Sequence, residues 1–112
     1  MIKAPMRGVP VSLFDDEAAD ETISDVLAIP SSFHEHQLTI KVGAGVTDGQ
    51  VTLEASDDPE DAGTWSPITS AIDTTTASST IVYNWSGVYQ FIRARINEII
   101  TGGTIDTSYV GS

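Results

Sequence analysis

The sequence predicts an all-β fold, an antiparallel β-sandwich of jelly-roll or immunoglobulin-like type with about seven or eight strands. Two observations predict it. Apolar and polar residues alternate with a period of two in at least four segments of the chain. Gly, Pro, Asn, Asp and Ser residues interrupt these segments every 8–12 residues or so, which is the spacing of short strands in an all-β domain.

The N-terminal residues are expected to form an extended arm in front of the sandwich. Residues 1–10 contain Pro5, Gly8 and Pro10 and show no periodicity, and the arm is placed at 1–14 with the sandwich domain at 15–112. The arm is nevertheless rich in apolar residues. It is therefore expected to become ordered on a partner surface, which it would contact through Met6, Val9, Val11, Leu13 and Phe14.

The strands are assigned from the alternating segments and the turns between them. A short strand is possible at 11–14, within the arm, and an acidic loop then leads to a strand at 22–29. The clearest alternation lies at 33–42, and further strands are expected at about 51–55, 80–85, 88–100 and 104–110. The predicted core consists of Leu38, Ile40, Val42, Val51, Leu53, Ile92, Ala94 and Ile96.

Composition excludes several classes of function. The 112 residues suffice for one domain, and 40% of them are hydrophobic, which is typical of a globular chain. A net charge of −11 argues against nucleic acid and anionic membranes as partners, because both are bound through Lys and Arg. The chain has no cysteine, so disulfides and thiolate metal sites are absent, and its first residues do not resemble a secretory signal.

The predicted strand at 88–100 has one unusual face. Tyr89, Phe91, Arg93 and Arg95 alternate along it, and aromatic residues and arginine are enriched in protein–protein interfaces. This face is therefore a candidate interface between copies of the chain. The arginines could equally pair with acidic residues of their own chain, and the sequence leaves both readings open.

Motifs for catalysis or metal binding are incomplete. His34 and His36 share a strand face but lack a third ligand, and the acidic turn at 57–63 fails the EF-hand pattern because Pro59 and Ala62 occupy positions three and six. No nucleophile elbow or phosphate-binding loop occurs. The protein is therefore expected not to be an enzyme and to hold no cofactor and no tightly bound metal, while the acidic turn leaves a weak, irregular cation site open.

Four aromatic residues raise the alternative of a carbohydrate-binding module. Such β-sandwiches stack sugars on exposed aromatic rings. Ile81, Tyr83 and Trp85 share one strand face, however, which more often indicates a core stripe than a sugar platform. Trp65 and Tyr89 complete the aromatic set, and glycan binding remains an alternative at this stage.

Residues 51–110 resemble small structural proteins of tailed bacteriophages. The blocks are V-x-L-E-x-S-x-D at 51–58, T-W-x-x-I at 64–68, a glycine before an aromatic strand ending in I-R-A-R-I at 87–96, and T-G-G-T at 101–104. That group includes capsid decoration (cement) proteins and tail components, and residues 1–50 match none of it. The resemblance implies a virion structural protein.

Among these roles, a capsid decoration protein is the most consistent with a small chain that has no disulfide and is highly charged. It would form a homo-oligomer, in the simplest case a trimer at a three-fold site of the capsid lattice. Its second partner would be the major capsid protein. It would reside on the capsid surface of the virion and in the host cytoplasm during assembly, with a tail or baseplate position as the alternative.

Overall fold

The computed structural model describes residues 2–60 and 65–112, which form two β-sheets packed face to face. This part of the chain contains ten strands, and it has no helix that is long and apolar enough to cross a membrane. The predicted all-β sandwich is therefore confirmed. In chain order the strands are β1 (Ile2–Lys3), β2 (Val11–Glu17), β3 (Val26–Ala28), β4 (Glu35–Val42), β5 (Asp48–Ser56), β6 (Ser66–Pro67), β7 (Ile72–Asp73), β8 (Thr80–Ser86), β9 (Phe91–Thr101) and β10 (Ile105–Gly111).

The strands divide into a six-stranded and a four-stranded sheet. The six-stranded sheet has the order β1-β3-β9-β5-β6, with β7 also paired to β5. The four-stranded sheet has the order β2-β10-β4-β8. All pairs are antiparallel except β1 with β3. The strand order shows that the chain crosses between the two sheets several times, so strands that follow one another in sequence are often not neighbours in a sheet.

The core lies between the two sheets and follows the alternation of the central strands. In β4, every second residue from His36 to Val42 is buried, and the residues between them face outward. In β9, Ile92, Ala94 and Ile96 have no exposed surface. The core prediction is confirmed for all eight of its members, Leu38, Ile40, Val42, Val51, Leu53, Ile92, Ala94 and Ile96.

The end of the expected arm is part of the sandwich. Val11 to Phe14 belong to β2, which pairs with β10, and Leu13 and Phe14 are both buried in the core. Two consecutive side chains point inward because the pairing shifts register at Thr107, whose hydroxyl accepts a hydrogen bond from the Phe14 amide at 3.1 Å. The structure thus places these two apolar side chains between the sheets and not in an arm.

The acidic segment after β2 follows the edge of β9 irregularly. A strand was predicted at 22–29, but only Val26–Ala28 forms one. Residues 18–25 instead make scattered backbone hydrogen bonds to β9, including Ser24 N–H to the Ala94 carbonyl and Ile96 N–H to the Thr22 carbonyl, both at 2.9 Å. Glu21, directly before the predicted strand, has a positive φ of 61°, a conformation typical of turns.

The two ends of the sandwich are built differently. Residues 4–10, 30–34, 87–90 and 111–112 meet at one end, which we call the arm end, and Gly8 N–H donates there to the Gly111 carbonyl. The opposite end is made by the turns at 43–47, 74–79 and 101–104. Gly45 and Gly102 both have positive φ and approach so closely that a Cβ on either would meet the backbone of the other.

Candidate interaction surfaces

The outer face of the six-stranded sheet contains a buried ion-pair cluster. Arg93 Nε donates to Glu54 Oε1 at 2.9 Å, and Arg95 Nε lies 3.3 Å from Glu54 Oε2. The Glu54 side chain is 9% exposed and that of Arg93 13% exposed. The two arginines stand two residues apart on β9, and Glu54 lies on the neighbouring strand β5 in register with Arg93, so strand pairing brings the three side chains together.

Two further contacts hold these arginines. The Arg93 guanidinium lies 4.2 Å from the centre of the Trp65 ring, in a cation–π arrangement. Arg95 also donates to Glu21 Oε2 at 3.0 Å, across the irregular segment beside β9. The sequence left open whether these arginines contact a second copy or acidic residues of their own chain. In the described structure, both pair with glutamates of their own chain. Neither arginine offers an unpaired charge to a second molecule.

Tyr89 is separated from the rest of the predicted interface face. It precedes β9, at the arm end, and its ring meets the His36 ring edge-on, with centroids 5.5 Å apart. Phe91, Arg93 and Arg95 share the outer face, on which Phe91 is half-buried. The sequence placed all four residues on one face because it extended the strand as far back as residue 88.

His36 is the centre of a buried aromatic cluster in the described residues. Its ring stacks on Trp85, with centroids 5.2 Å apart. Its Nε2 lies 2.8 Å from the Gly87 carbonyl, which can only accept, so Nε2 donates and Nδ1 accepts from the Tyr109 hydroxyl at 2.6 Å. Both ring nitrogens are thus engaged within the chain. His34 is exposed and lies before β4 begins, so the two histidines do not form a paired site.

The Tyr109 hydroxyl is enclosed by this cluster. Burial raises the pKa of Tyr109 to about 12, because the phenolate form would lose its hydration between the sheets. Tyr109 has 1% of its surface exposed. The cluster therefore closes the arm end of the core, with His36 and Tyr109 joined by a hydrogen bond and Trp85 held by ring contacts alone, since its buried Nε1 has no hydrogen-bond partner among the described residues.

Three carboxylates meet at the outer edge of the four-stranded sheet. Asp15 and Asp16 of β2 lie beside Asp106 of β10, and oxygens of all three are within 4.8 Å of one another. A hydrogen bond with Asp106 and repulsion from the Asp106 and Asp16 charges raise the pKa of Asp15. Carboxylate oxygens are suitable ligands for Ca²⁺ or Mg²⁺. All three are exposed, and such exposed acidic groups commonly occur without an ion.

Sequence reasoning missed this group of carboxylates. The sequence drew attention instead to the acidic turn at 57–63, of which residues 61–63 lie outside the described residues, and to His34 and His36, for which it offered no third ligand. Asp106 is 90 residues away from Asp16, and its carboxylate accepts a hydrogen bond from the Asp16 amide at 2.9 Å. Only the pairing of β2 with β10 brings them together, and no local pattern signals that pairing.

Several large apolar side chains are exposed at the arm end. Met6 is 68% exposed, Val88 61% and Val9 45%. Their backbone is held by hydrogen bonds from Gly8 to Gly111 and from Val9 to Met6, and Arg7 lies over the Phe33 ring at 5.3 Å. Of the five residues predicted to contact a partner, Met6 and Val9 are exposed, Val11 is half-buried, and Leu13 and Phe14 belong to the core.

The outer face of the four-stranded sheet has two open depressions. One, of about 300 Å³, is lined by Gln37, Asn84 and Val110, and the other, of about 260 Å³, by Thr39, Lys41 and residues of β2 and β10. Neither is lined by Trp or Tyr. The aromatic residues of the glycan-binding alternative, Trp65, Tyr83, Trp85 and Tyr89, are each half-buried.

Among known proteins, the chain has a weak structural similarity and no match in sequence. No protein-family model matches the chain, and no curated protein matches it. Among solved structures, the chain is similar to the coat protein of Tobacco streak virus, with 11% sequence identity and a TM-score of 0.39 over 93% of this chain and 85% of the coat protein. A similarity of this size identifies neither a family nor a function.

Proposed function

We propose that the protein is a virion structural protein of a tailed bacteriophage and that it decorates the capsid shell. The observation that supports this most is the set of apolar side chains exposed at the arm end, Met6, Val9 and Val88. Several exposed apolar side chains at one end of a small protein with a net charge of −11 suit a contact surface for another protein.

The arm end is suited to bind a preformed surface. Segments 4–10 and 87–90 are both tied by backbone hydrogen bonds to neighbouring strands or turns, so their side chains are presented on a firm support. Binding through such a surface requires little ordering of the chain, which favours affinity. The major capsid protein is the partner that the proposal names.

The resemblance to phage structural proteins concerns the strands of the sandwich more than the arm end that would bind the capsid. Its blocks cover most of β5, the short edge strand β6, the segment before β9 with the first half of β9, and the turn that leads into β10. The arm end is built mainly by residues 1–50, where the chain resembles none of those proteins. In this proposal the matched half supplies the fold, and the unmatched half supplies the specificity for a shell.

Oligomerisation through the outer face of the six-stranded sheet stays a prediction, as does the trimer. Since Arg93 and Arg95 are paired within the chain, a second copy would contact this face through Phe91 and the exposed Ile23, which is bridged to Arg95. The variant Ile23→Lys tests this contact without removing an ion pair. A trimer mass unchanged by Ile23→Lys would contradict the proposed face.

A binding experiment tests the proposed function. Purified protein is mixed with capsids that lack it, and the bound fraction is measured by co-sedimentation. Met6→Lys and Val9→Lys are expected to abolish binding. The matched control is Ile99→Lys, because Ile99 is 53% exposed and lies on β9 near the opposite end of the sandwich, so this variant should bind like the wild type.

The copy number in purified virions separates the alternatives. Hundreds of copies per particle, measured by quantitative mass spectrometry, are expected for a shell protein. A handful of copies would contradict decoration and favour the tail or baseplate. Absence from virions, or equal binding by Met6→Lys and wild type, would overturn the proposal.

A further inference from the structure

The four-stranded sheet ends in an unprotected edge strand. β8 has seven residues, contains no charge and no proline, and pairs only with β4 among the described strands. The other edge strands are protected in the usual ways. β1, β6 and β7 have two residues each, and β2 contains Asp15, Asp16 and Glu17 together with a register shift.

The pairing with β4 shows which backbone groups face outward. Val42 N–H donates to the Ser79 carbonyl and Gly87 N–H donates to the His34 carbonyl, so in this register the odd residues of β8 bond to β4. The amides and carbonyls of the even residues therefore point away from the sheet. These residues, all exposed, are Thr80, Val82, Asn84 and Ser86.

In the described part of the chain, these outward groups have one weak contact. The Tyr89 hydroxyl approaches the Ser86 carbonyl at 3.5 Å. The row of donors and acceptors is otherwise available, and Val82, in its middle, is 51% exposed. An available, regular and uncharged edge of this length is a template for another strand.

We infer that β8 pairs with β8 of a second copy of this chain, in antiparallel orientation about a two-fold axis through Tyr83. In this register, Thr80 pairs with Ser86 of the second copy and Val82 pairs with its Asn84, and each pair exchanges two backbone hydrogen bonds. The two four-stranded sheets become one eight-stranded sheet, and both six-stranded sheets lie on the same side of it.

Side chains on the inner face match in the same register. Ile81 lies opposite Trp85 of the second copy, and the two Tyr83 side chains lie side by side on the axis. Ile81, Tyr83 and Trp85 are only half-buried in a single chain because they stand at the sheet edge. Pairing covers them with aromatic and β-branched neighbours, a combination that stabilises antiparallel strands.

The charges that flank the edge are complementary about the same axis. Lys41 is the β4 neighbour of Thr80, and Glu35 is the β4 neighbour of Ser86. Both are exposed, and neither makes an ion pair within residues 2–60 and 65–112. Since Thr80 meets Ser86 of the second copy, Lys41 of each chain lies in the same row of the joined sheet as Glu35 of the other, but about 14 Å away across two strands, so solvent screens most of this attraction.

The net charge of the chain restricts where two copies can contact each other, and it favours an uncharged edge. Two chains of −11 repel each other, so a stable contact requires a surface that is free of acidic residues. β8 fulfils this, because none of its seven residues is charged. This inference concerns the free protein and does not rest on the proposed function or on the face around Arg95.

The first test is the mass in solution, measured by light scattering at micromolar concentration. The wild type should have the mass of two chains or of an assembly built from such pairs. Val82→Pro removes one outward amide while leaving every bond to β4 intact, and Val82→Lys places a charge in the interface. Both should be monomeric, whereas Val88→Lys, the same exchange at the arm end, should retain the wild-type mass.

The second test fixes the register by cross-linking. The chain has no cysteine, so Tyr83→Cys introduces a single thiol. Paired residues of this kind have Cα atoms roughly 4.5 Å apart, within the range of a disulfide, so oxidation should link two copies. Ile81→Cys should not cross-link, because its counterpart is displaced by four residues along the strand.

A monomeric wild type, an oligomer unchanged by Val82→Pro, or cross-linking by Ile81→Cys in place of Tyr83→Cys would overturn the inference. Loss of the oligomer in Ile23→Lys but not in Val82→Lys would assign the contact to the six-stranded sheet instead.

Discussion

Glu54→Gln gives the sharpest test of how the outer face of the six-stranded sheet is stabilised. The substitution keeps the shape of the side chain and removes its charge. Arg93 and Arg95 would then lose the carboxylate that both contact, at 2.9 and 3.3 Å. Breaking a buried ion pair by removing one partner typically costs about 3–5 kcal/mol, because the remaining charge is left uncompensated.

The expected magnitude lies at the lower end of that range. The Arg95 side chain is 31% exposed, so solvent screens part of its interaction, while Arg93 and Glu54 are well enclosed. We therefore expect a loss of about 3 kcal/mol in the free energy of unfolding. For a domain of this size, this lowers the melting temperature by roughly 10–20 °C.

The sign of the effect decides between two explanations. If general repulsion within a chain of charge −11 dominated, removing one carboxylate would stabilise the protein. Urea unfolding monitored by tryptophan fluorescence measures the difference, and Glu60→Gln serves as the control because it removes the same charge from an exposed side chain. A Glu54→Gln variant as stable as Glu60→Gln would refute the reasoning.

Two further predictions concern pH. Repulsion from the Asp48 charge, with a smaller contribution from burial, raises the pKa of Glu98, so ionisation of Glu98 opposes folding. Glu98→Gln should therefore raise the melting temperature at pH 7. This gain should vanish as the pH falls below 4.5, the ordinary pKa of a glutamate, because Glu98 is then protonated in both the folded and the unfolded state. An undiminished gain in acid would contradict this cause. Burial raises the pKa of Tyr109 from 10.0 to about 12, so stability should fall by roughly 3 kcal/mol as the pH rises through this interval. Tyr109→Phe should lack this fall, as measured by urea unfolding, and an equal fall in both proteins would exclude Tyr109 as its source.

The class of fold and most of the core follow from the alternation of apolar and polar residues along the chain. A side chain in a strand faces inward or outward according to a period of two, so the alternation at 33–42 and 51–55 indicated which residues lie between the sheets. Val51, Leu53, Ile92 and Ile96 are buried as this pattern requires. The inward-facing residues of a strand can thus be identified from the alternation within that strand, without knowing which strands are its neighbours.

The contacts between strands, in contrast, depend on how the strands are arranged in the folded protein. Alternation assigns a face but neither the sheet order nor the register, because these depend on hydrogen bonds between segments far apart in the chain. Glu54 therefore meets Arg93 at a separation of 39 residues, and Asp16 meets Asp106 at 90. The register shift that buries both Leu13 and Phe14 breaks the period on which the sequence reasoning depended. Whether β8 is central or at an edge is likewise a property of the sheet order, since its seven residues would suit either position.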